Sequence, residues 1–218
     1  MPTVFLDYDG TLHNSMCVYG PAFRAGYAQL VKEGLAAPRE FSDDEISRWL
    51  GYSVEDMWAN FMPELAERDW KRISRFIGDE MAALTAAGVA ELYPHTREVL
   101  GRLVDEGYTL VFLSNCGPDY KRTHLEGMGL APLFSGAYCS AEFPGLAKWQ
   151  IYERVRDAYP EPHMMVGDRF HDIEVATRAG IASIGCTYGY GTPAELEAAT
   201  TTIASIEELP EALHRVGA

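Results

Sequence analysis

Residues 3–15 read TVFLDYDGTLHNS, and the rest of the chain can be interpreted outward from this stretch. It opens with the apolar run VFL at residues 4–6, which is typical of a short strand buried in a parallel sheet. The run ends abruptly at Asp7 and Asp9, and Gly10-Thr11 then gives a turn signal. The stretch therefore predicts a buried strand with two aspartates at its carboxyl end.

These two aspartates lie where open α/β sheets bind their ligands, just beyond the carboxyl end of a strand. Because residues two apart in an extended segment point to the same side, Asp7 and Asp9 are expected to face one small volume. Two carboxylates so close together repel each other unless a cation lies between them or one of them is protonated. Either state would indicate a chemical role, whereas the alternative is a solvated Asp-x-Asp-Gly turn with none.

Length and charge limit the class of protein. With 218 residues, the chain has room for one large domain or for one domain with an inserted lobe. Its formal net charge is −14, from 18 Lys and Arg against 32 Asp and Glu. Nucleic acids and anionic membrane surfaces bind through clustered basic residues, so neither is expected as a partner.

The N-terminus and the cysteines predict a cytoplasmic location. The start MPTVFLDYD lacks the basic region of a signal peptide, and no apolar run approaches the ~18 residues of a spanning helix. The cysteines are scattered and make no C-x-x-C pair, so they are interpreted as reduced, mostly buried thiols. They are Cys17, Cys116, Cys139 and Cys186.

Beyond the first strand the pattern becomes helical. Residues 21–34, with a proline at the first position and a glycine at the end, predict one helix. Ser42 and Glu45, three residues apart, form a capping box at the start of a second. A long amphipathic stretch closes the segment. Residues 14–91 are therefore predicted to form an inserted, all-helical lobe.

From residue 92 onward, short apolar strands alternate with helices. Such alternation predicts crossover connections and a parallel sheet that is covered on both faces. The fold class is therefore predicted to be α/β, with a doubly wound, Rossmann-like parallel-sheet core formed by residues 1–13 and 92–218.

Polar residues follow several of the predicted strands, and the carboxyl ends of parallel strands share one edge of a sheet. Ser114 and Asn115 follow the second strand. Asp168 follows the fourth strand, and Asp172 lies in the turn after it. Several carboxylates in one cleft favour a hard divalent cation such as Mg²⁺, which prefers oxygen ligands. Hydroxyl, amide and backbone N–H donors beside them suit a phosphoryl group.

Four segments, in order along the chain, resemble the motifs of the haloacid dehalogenase superfamily. The inserted helical lobe resembles that superfamily's C1 cap, and the tail with Gly189-Tyr-Gly resembles its phosphoglycolate phosphatase-like branch. The resemblance implies a Mg²⁺-dependent phosphatase that hydrolyses a small phosphorylated metabolite through a phosphoaspartate intermediate. The four segments are Asp7-Tyr-Asp9-Gly-Thr, Leu113-Ser114-Asn115, Lys148 at the head of a helix, and Gly167-Asp168-Arg-Phe-His-Asp172.

The resemblance also implies a role for each of these residues. Asp7 would be the nucleophile, and Asp9 would be the general acid and then the base that activates water. Ser114, the backbone of Asn115 and Lys148 would hold the phosphoryl oxygens. The implied Mg²⁺ ligands are the carboxylates of Asp7 and Asp168, the main-chain carbonyl of Asp9, and Asp172, which would act through a water or by orienting Lys148.

Substrate specificity is predicted only in outline. His13-Asn14 stands where many relatives carry an acid, so His13 is a candidate for contact with substrate. A turn in the helical lobe matches the place where C1 caps present a specificity loop, and its residues are Gly51, Tyr52 and Ser53. The histidine spacing fits no metal site. His13, His95, His124 and His171 are therefore each interpreted as an ordinary polar or solvent-facing histidine.

Three alternatives remain open. A phosphomutase would use the same residues and return the phosphoryl group to a sugar. A non-catalytic binding protein would hold phosphate or a partner without turnover. A phosphonate hydrolase is less favoured, because it would need a Schiff-base lysine in the cap, and neither Lys32 nor Lys71 lies in a recognisable motif. The oligomeric state is not predicted.

Overall fold

The computed structural model describes residues 1–217, and contacts between residues divide the chain into two units. The first unit contains Met1–Asn14 and the chain from Leu92 onward, and the second contains Ser15–Glu91. Asn14 groups with the first unit, one residue beyond the predicted boundary. Its side-chain oxygen there accepts a hydrogen bond from the Tyr190 hydroxyl at 3.2 Å.

The second unit is helical throughout its regular structure. A capping box at Ser42 starts its second helix, with the Glu45 carboxylate accepting from the Ser42 N–H at 2.9 Å. Pro21 lies inside the first helix, so its predicted place at the helix start is wrong: the helix has already begun after Ser15. The four helices are α1 (Met16–Lys32), α2 (Asp43–Ser47), α3 (Val54–Phe61) and α4 (Glu67–Ala86).

The first unit is built on a six-stranded sheet in which every strand pairing is parallel. Its spatial order is β3-β2-β1-β4-β5-β6, so the chain builds outward from β1 to one side and then to the other. The predicted doubly wound α/β fold is confirmed. The strands are β1 (Thr3–Leu6), β2 (Thr109–Ser114), β3 (Gly136–Cys139), β4 (His163–Gly167), β5 (Ala182–Cys186) and β6 (Thr201–Ile203).

Helices cover both faces of this sheet because successive β1 side chains point to opposite sides. Val4 and Leu6 pack into one buried cluster with Leu103 and Leu213. Phe5 packs into the other cluster with Ile151. The covering helices are α5 (Thr96–Asp105), α6 (Pro118–Gly127), α7 (Lys148–Val155), α8 (Phe170–Ala179) and α9 (Leu209–Val216).

This topology brings the carboxyl ends of β1, β2 and β4 side by side, since β1 pairs with both of the others. The order reverses at β1, which is where open α/β sheets form their ligand crevice. Within residues 1–217, none of the helices has the length and hydrophobicity needed to cross a bilayer.

Candidate active site

A tight loop after β1 carries the first two aspartates. Asp7 continues the ladder, because its N–H donates to the Val166 carbonyl at 2.9 Å, and its side chain is buried. The Tyr8 carbonyl then accepts the N–H groups of Leu12 and His13 at 2.8 and 3.0 Å, which folds the chain back on itself. This turn leaves Asp9 half-buried beside the edge of the sheet.

Lys148 pairs with two buried aspartates, Asp7 and Asp172. It is the first residue of α7, and its ammonium is 2.6 Å from Asp172 Oδ1 and 2.8 Å from Asp7 Oδ1. Only 3% of the residue is exposed. Burial by itself lowers the pKa of Lys148, but the charges of Asp172 and Asp7 outweigh it and raise the pKa above its ordinary value. The lysine is therefore a permanent positive charge in this site.

Asp168 and Asp172 follow β4 and are both fully buried. The Tyr190 N–H donates to Asp168 Oδ2 at 2.7 Å, and the Arg169 N–H donates to Asp172 Oδ2 at 3.0 Å. Burial raises the pKa of Asp168 well above its ordinary value, and the charge of Asp7 raises it further. Burial and Asp7 likewise raise the pKa of Asp172 to about 6, against the opposing effect of Lys148. In both cases the pKa rises because the carboxyl group is buried and lies close to another negative charge.

The acidic group fits a divalent cation. One carboxylate oxygen from each of Asp7, Asp168 and Asp172 lies within 4.8 Å of the others. Three carboxylates outnumber the single lysine, and hard cations prefer such oxygen ligands. Backbone packs closely around Asp168, because a Cβ added at Gly10 or Gly189 would lie 2.2 or 2.3 Å from its side chain. These residues could hold Mg²⁺. The Asp9 side chain is not part of this group of three, and ligation by its main-chain carbonyl stays a prediction.

Ser114 and Asn115 lie at the same edge of the sheet. Phe112 pairs with Leu6 in the parallel register, so Ser114, two residues further on, ends β2 level with the loop after β1. Ser114 is buried and Asn115 is half-buried. The structure therefore places the predicted phosphate-binding residues next to the acidic group, and their role stays a prediction.

Tyr120 is a site residue that the sequence analysis missed. Its hydroxyl donates to Asp9 Oδ1 at 2.6 Å, and the His13 Nδ1 atom lies 3.3 Å from the same oxygen. Tyr120 belongs to the first turn of α6, a few residues after Asn115. The helical start at Pro118 was readable from the sequence, but the direction of the Tyr120 side chain was not.

His13 and His124 are both buried, so the interpretation of each as an ordinary polar or solvent-facing histidine is wrong. His13 is fully buried and stacks on the Tyr8 ring at 5.1 Å between centroids. His124 is also buried, and its Nδ1 atom is 2.9 Å from the Tyr8 hydroxyl. Burial, and then the neighbouring His13, lower the pKa of His124 to about 4.

The predicted specificity turn lies in the helical unit. Gly51 has a φ of 86°, which suits a glycine, and Tyr52 is half-buried. Ser53 is the N-cap of α3, where its side chain accepts the Asp56 N–H at 3.1 Å. The positive φ of Gly51 and the N-cap role of Ser53 explain why these residues occur in the turn. Contact between the turn and substrate stays a prediction.

The sequence matches a protein-family model described as haloacid dehalogenase-like hydrolase over residues 1–180. A phosphoglycolate phosphatase of Synechococcus elongatus is 28% identical over 209 residues, which are 91% of this chain and 90% of that protein.

Solved structures also resemble this fold. A predicted phosphatase from Clostridium acetobutylicum superposes with a TM-score of 0.83 at 21% identity and covers 98% of both chains. A predicted phosphoglycolate phosphatase from Haemophilus somnus gives a TM-score of 0.81 at 22% identity over 97% of both chains. At these identities the two structures support the fold.

Proposed function

The chain belongs to the haloacid dehalogenase-like hydrolases, and on that premise we propose that it is a Mg²⁺-dependent phosphatase acting through a phosphoaspartate on Asp7. The observation that carries the proposal is the buried group of Asp7, Asp168 and Asp172 at the carboxyl edge of the sheet, with Lys148 paired to Asp7 and Asp172. A second aspartate, Asp9, stands two residues from the proposed nucleophile, and a phosphatase needs such an acid to release an alkoxide.

In the first step, an Asp7 carboxylate oxygen attacks the phosphorus of the ester. The P–O bond to the leaving group breaks, and the departing alkoxide takes a proton from Asp9. The products are a phosphoaspartate at Asp7 and a free alcohol. Attack by a buried carboxylate divides one difficult hydrolysis into two easier transfers.

In the second step, Asp9, now ionised, removes a proton from a water molecule. The water oxygen attacks the phosphorus and the bond to Asp7 breaks, so inorganic phosphate leaves and Asp9 is again protonated for the next cycle. Lys148 and the donors at Ser114 and Asn115 hold the phosphoryl oxygens in place through both steps. Phosphoryl transfer depends mainly on such positioning and charge stabilisation.

The carboxylates of Asp7 and Asp168, with the Asp9 main-chain carbonyl, would hold Mg²⁺, and Asp172 would contribute through water or by fixing Lys148. When bound, the ion neutralises negative charge on the transferring phosphoryl group. The raised pKa of Asp168 supports this assignment, because crowded buried carboxylates ionise together only with compensating positive charge nearby.

The substrate class is a small phosphate monoester. A curated relative with 28% identity is named phosphoglycolate phosphatase, which makes 2-phosphoglycolate the first ester to test. We place the helical unit as a cap that selects the substrate, with the turn at Gly51, Tyr52 and Ser53 as its specificity loop. The acidic composition and the reduced cysteine thiols fit a cytoplasmic enzyme without nucleic-acid or membrane partners.

The direct test is release of inorganic phosphate from a panel of small esters that includes 2-phosphoglycolate. We expect turnover with Mg²⁺, none with EDTA, and a loss of about 10³-fold or more in kcat for Asp7→Asn. Asp157→Asn, which makes the same change on a carboxylate that is 98% exposed, should leave kcat unchanged. A folded wild-type protein that hydrolyses no ester would refute the proposal, and bisphosphate-dependent isomerisation without phosphate release would replace it with a phosphomutase.

A further inference from the structure

We propose that Tyr120 is a positioning residue that fixes the Asp9 carboxyl group for proton transfer to the leaving group, and that His13 shares this task. The inference rests on the proposed function, because it assigns Asp9 as the general acid. Its basis is a triangle of short contacts. Tyr120 Oη is 2.6 Å from Asp9 Oδ1, His13 Nδ1 is 3.3 Å from the same oxygen, and the two partners are 3.2 Å apart.

Tyr120 is fixed by the segment that also carries the predicted phosphate donors. After Ser114 and Asn115, the chain enters α6 at Pro118, which places Tyr120 in the first helical turn. Its ring packs against the His124 ring, one turn later on the same helix face, with centroids 3.9 Å apart. One short segment therefore carries both the predicted phosphate donors and Tyr120.

His13 is held from two sides. Its ring stacks on Tyr8 with planes 10° apart, and it meets the His124 ring edge-on with centroids 4.8 Å apart. The Tyr8 hydroxyl and His124 Nδ1 lie 2.9 Å apart and join these supports to each other. Both groups that contact Asp9 thus lie in a packed aromatic cluster, made of Tyr8, His13, Tyr120 and His124, that leaves them little rotational freedom.

The Tyr120 hydroxyl donates a short hydrogen bond to the Asp9 carboxyl group, 2.6 Å from Oδ1. A short hydrogen bond from a hydroxyl to a carboxylate is charge-assisted and stronger than a hydrogen bond between neutral groups. Fixing Oδ1 in this way restricts rotation of the carboxyl group, and general acid catalysis depends on such geometry before pKa.

A positioning role for the general acid has a specific kinetic consequence. Protonation matters most when the leaving group is a basic alkoxide and little when it is a weakly basic phenolate such as 4-nitrophenolate. The value of kcat/KM covers the steps up to release of that group. Tyr120→Phe should therefore lower kcat/KM about 10- to 100-fold for the best alkyl phosphate substrate, a part of the ~10²–10⁴-fold that general acids supply. For 4-nitrophenyl phosphate the loss should be no more than about 3-fold.

Two further variants show whether the effect passes through Asp9. His13→Gln should give the same selective loss for the alkyl ester, with a smaller size. When Asp9→Asn is already present, adding Tyr120→Phe should change kcat/KM for the alkyl phosphate less than about 2-fold, because residues that act as a unit are not additive. Tyr138→Phe removes another hydroxyl, one that lies 2.8 Å from the Tyr159 hydroxyl, and should leave both substrates unaffected.

The outcomes separate this inference from the proposed function. A wild type that hydrolyses esters, with a Tyr120→Phe variant that loses equally on both substrates or loses nothing, overturns the positioning role alone. A wild type that hydrolyses no ester overturns the proposed function and this inference with it. A selective loss for Tyr120→Phe that disappears in the Asp9→Asn background supports the inference.

Discussion

Lys148 occupies a position that a cation avoids when nothing compensates it. The first residue of a helix feels the positive end of the helix dipole, and Lys148 is in addition almost completely buried. Two carboxylates within 2.8 Å offset both costs. Buried ion pairs of this kind contribute little net stability but are strongly destabilising when one partner is removed. The placement is therefore explained by the chemistry of the site rather than by the stability of α7.

His124 should make stability depend on pH. The folded state lowers the pKa of His124 from 6.5 to about 4, first through burial. Below pH 6.5 the unfolded chain takes up a proton that the folded chain takes up only near pH 4. The free energy of unfolding should therefore fall as the pH drops through this window, by roughly 2 kcal/mol for this group. Urea unfolding of wild type and His124→Gln at pH 7.5 and 4.5 measures it.

We expect the wild type to lose more stability than His124→Gln between the two pH values, since only the wild type has this buried neutral ring. His214→Gln is the matched control, because His214 is 56% exposed on α9, and it should lose as much as the wild type. Equal losses for wild type and His124→Gln would show that the buried ring does not control acid stability.

At the residue scale, the sequence predicted the acids better than it predicted their partners. Asp7 and Asp168 were readable because a short apolar run that stops at a carboxylate marks the end of a buried strand. Tyr120 was not readable, because its contact with Asp9 joins residues 111 positions apart and depends on how α6 sits over the loop. The burial of His13 and His124 was missed for the same reason, since the two rings pack against each other although they are far apart in the chain.

At the element scale, the helical unit depends on a close approach between α1 and α4. A Cβ added at Gly26 of α1 would lie 2.6 Å from Cγ1 of Ile77 and 3.4 Å from Cγ2 of Ile73, both of them buried residues of α4. The glycine is therefore required by packing and not by its backbone conformation. Helix interiors ordinarily disfavour glycine, so its presence here indicates that contact outweighs propensity.

Replacing Gly26 with alanine should destabilise the helical unit. Overpacking costs about 1–3 kcal/mol, and the better helix propensity of alanine returns about 0.5–1 kcal/mol, which leaves a net loss of about 1 kcal/mol. Trp49, Trp58 and Trp70 all lie within this unit, so urea unfolding followed by tryptophan fluorescence reports on it.

Gly78→Ala provides the opposite case on α4. An added Cβ at this exposed position meets no atom within 4 Å, so only the propensity gain of about 0.5–1 kcal/mol should remain. Stabilisation by both alanines would mean that α1 and α4 separate easily, and the packing argument would then be wrong.

One helix start was predicted correctly from the sequence and another was not. Ser42 and Glu45 predicted the start of α2, because a capping box is a local arrangement of two side chains and two N–H groups. Pro21 was misread as a first helical residue, although the helix begins at Met16. A proline near the start of a helix loses few hydrogen bonds, so tertiary packing can extend the helix past it.

At the scale of the whole molecule, the site exists only because the sheet order brings distant segments together. Asp7, Lys148 and Asp168 belong to three separate segments, and the pairing of β4 with β1 sets Asp168 beside Asp7. The alternation of strands and helices in the sequence predicted this arrangement in outline, since the carboxyl ends of parallel strands joined by crossovers lie at one edge of the sheet. The crowding of charge that results is a property of the assembled fold and of no single segment.

That crowding should couple Mg²⁺ binding to stability. A ligand that binds only the folded state adds about 2.7 kcal/mol at 100 times its Kd, which for a chain of this size corresponds to a Tm rise of about 5 °C or more. We expect this rise for the wild type when EDTA is replaced by millimolar Mg²⁺. Asp168→Asn removes one of the three repelling carboxylates, so in EDTA its Tm should equal or exceed that of the wild type, and Mg²⁺ should shift it by less than about 1 °C.

A cation site is identified by two results together: Asp168→Asn does not lower the Tm in EDTA, and it removes the rise in Tm on adding Mg²⁺. Asp157→Asn, the same substitution at an exposed carboxylate, should behave like the wild type in both buffers. An Asp168→Asn variant that is less stable than the wild type in EDTA would mean that its hydrogen bonds to Thr11 and Tyr190 matter more than the repulsion. Equal Mg²⁺ shifts in the wild type and Asp168→Asn would place the ion elsewhere, and the three aspartates would then have to be explained without it.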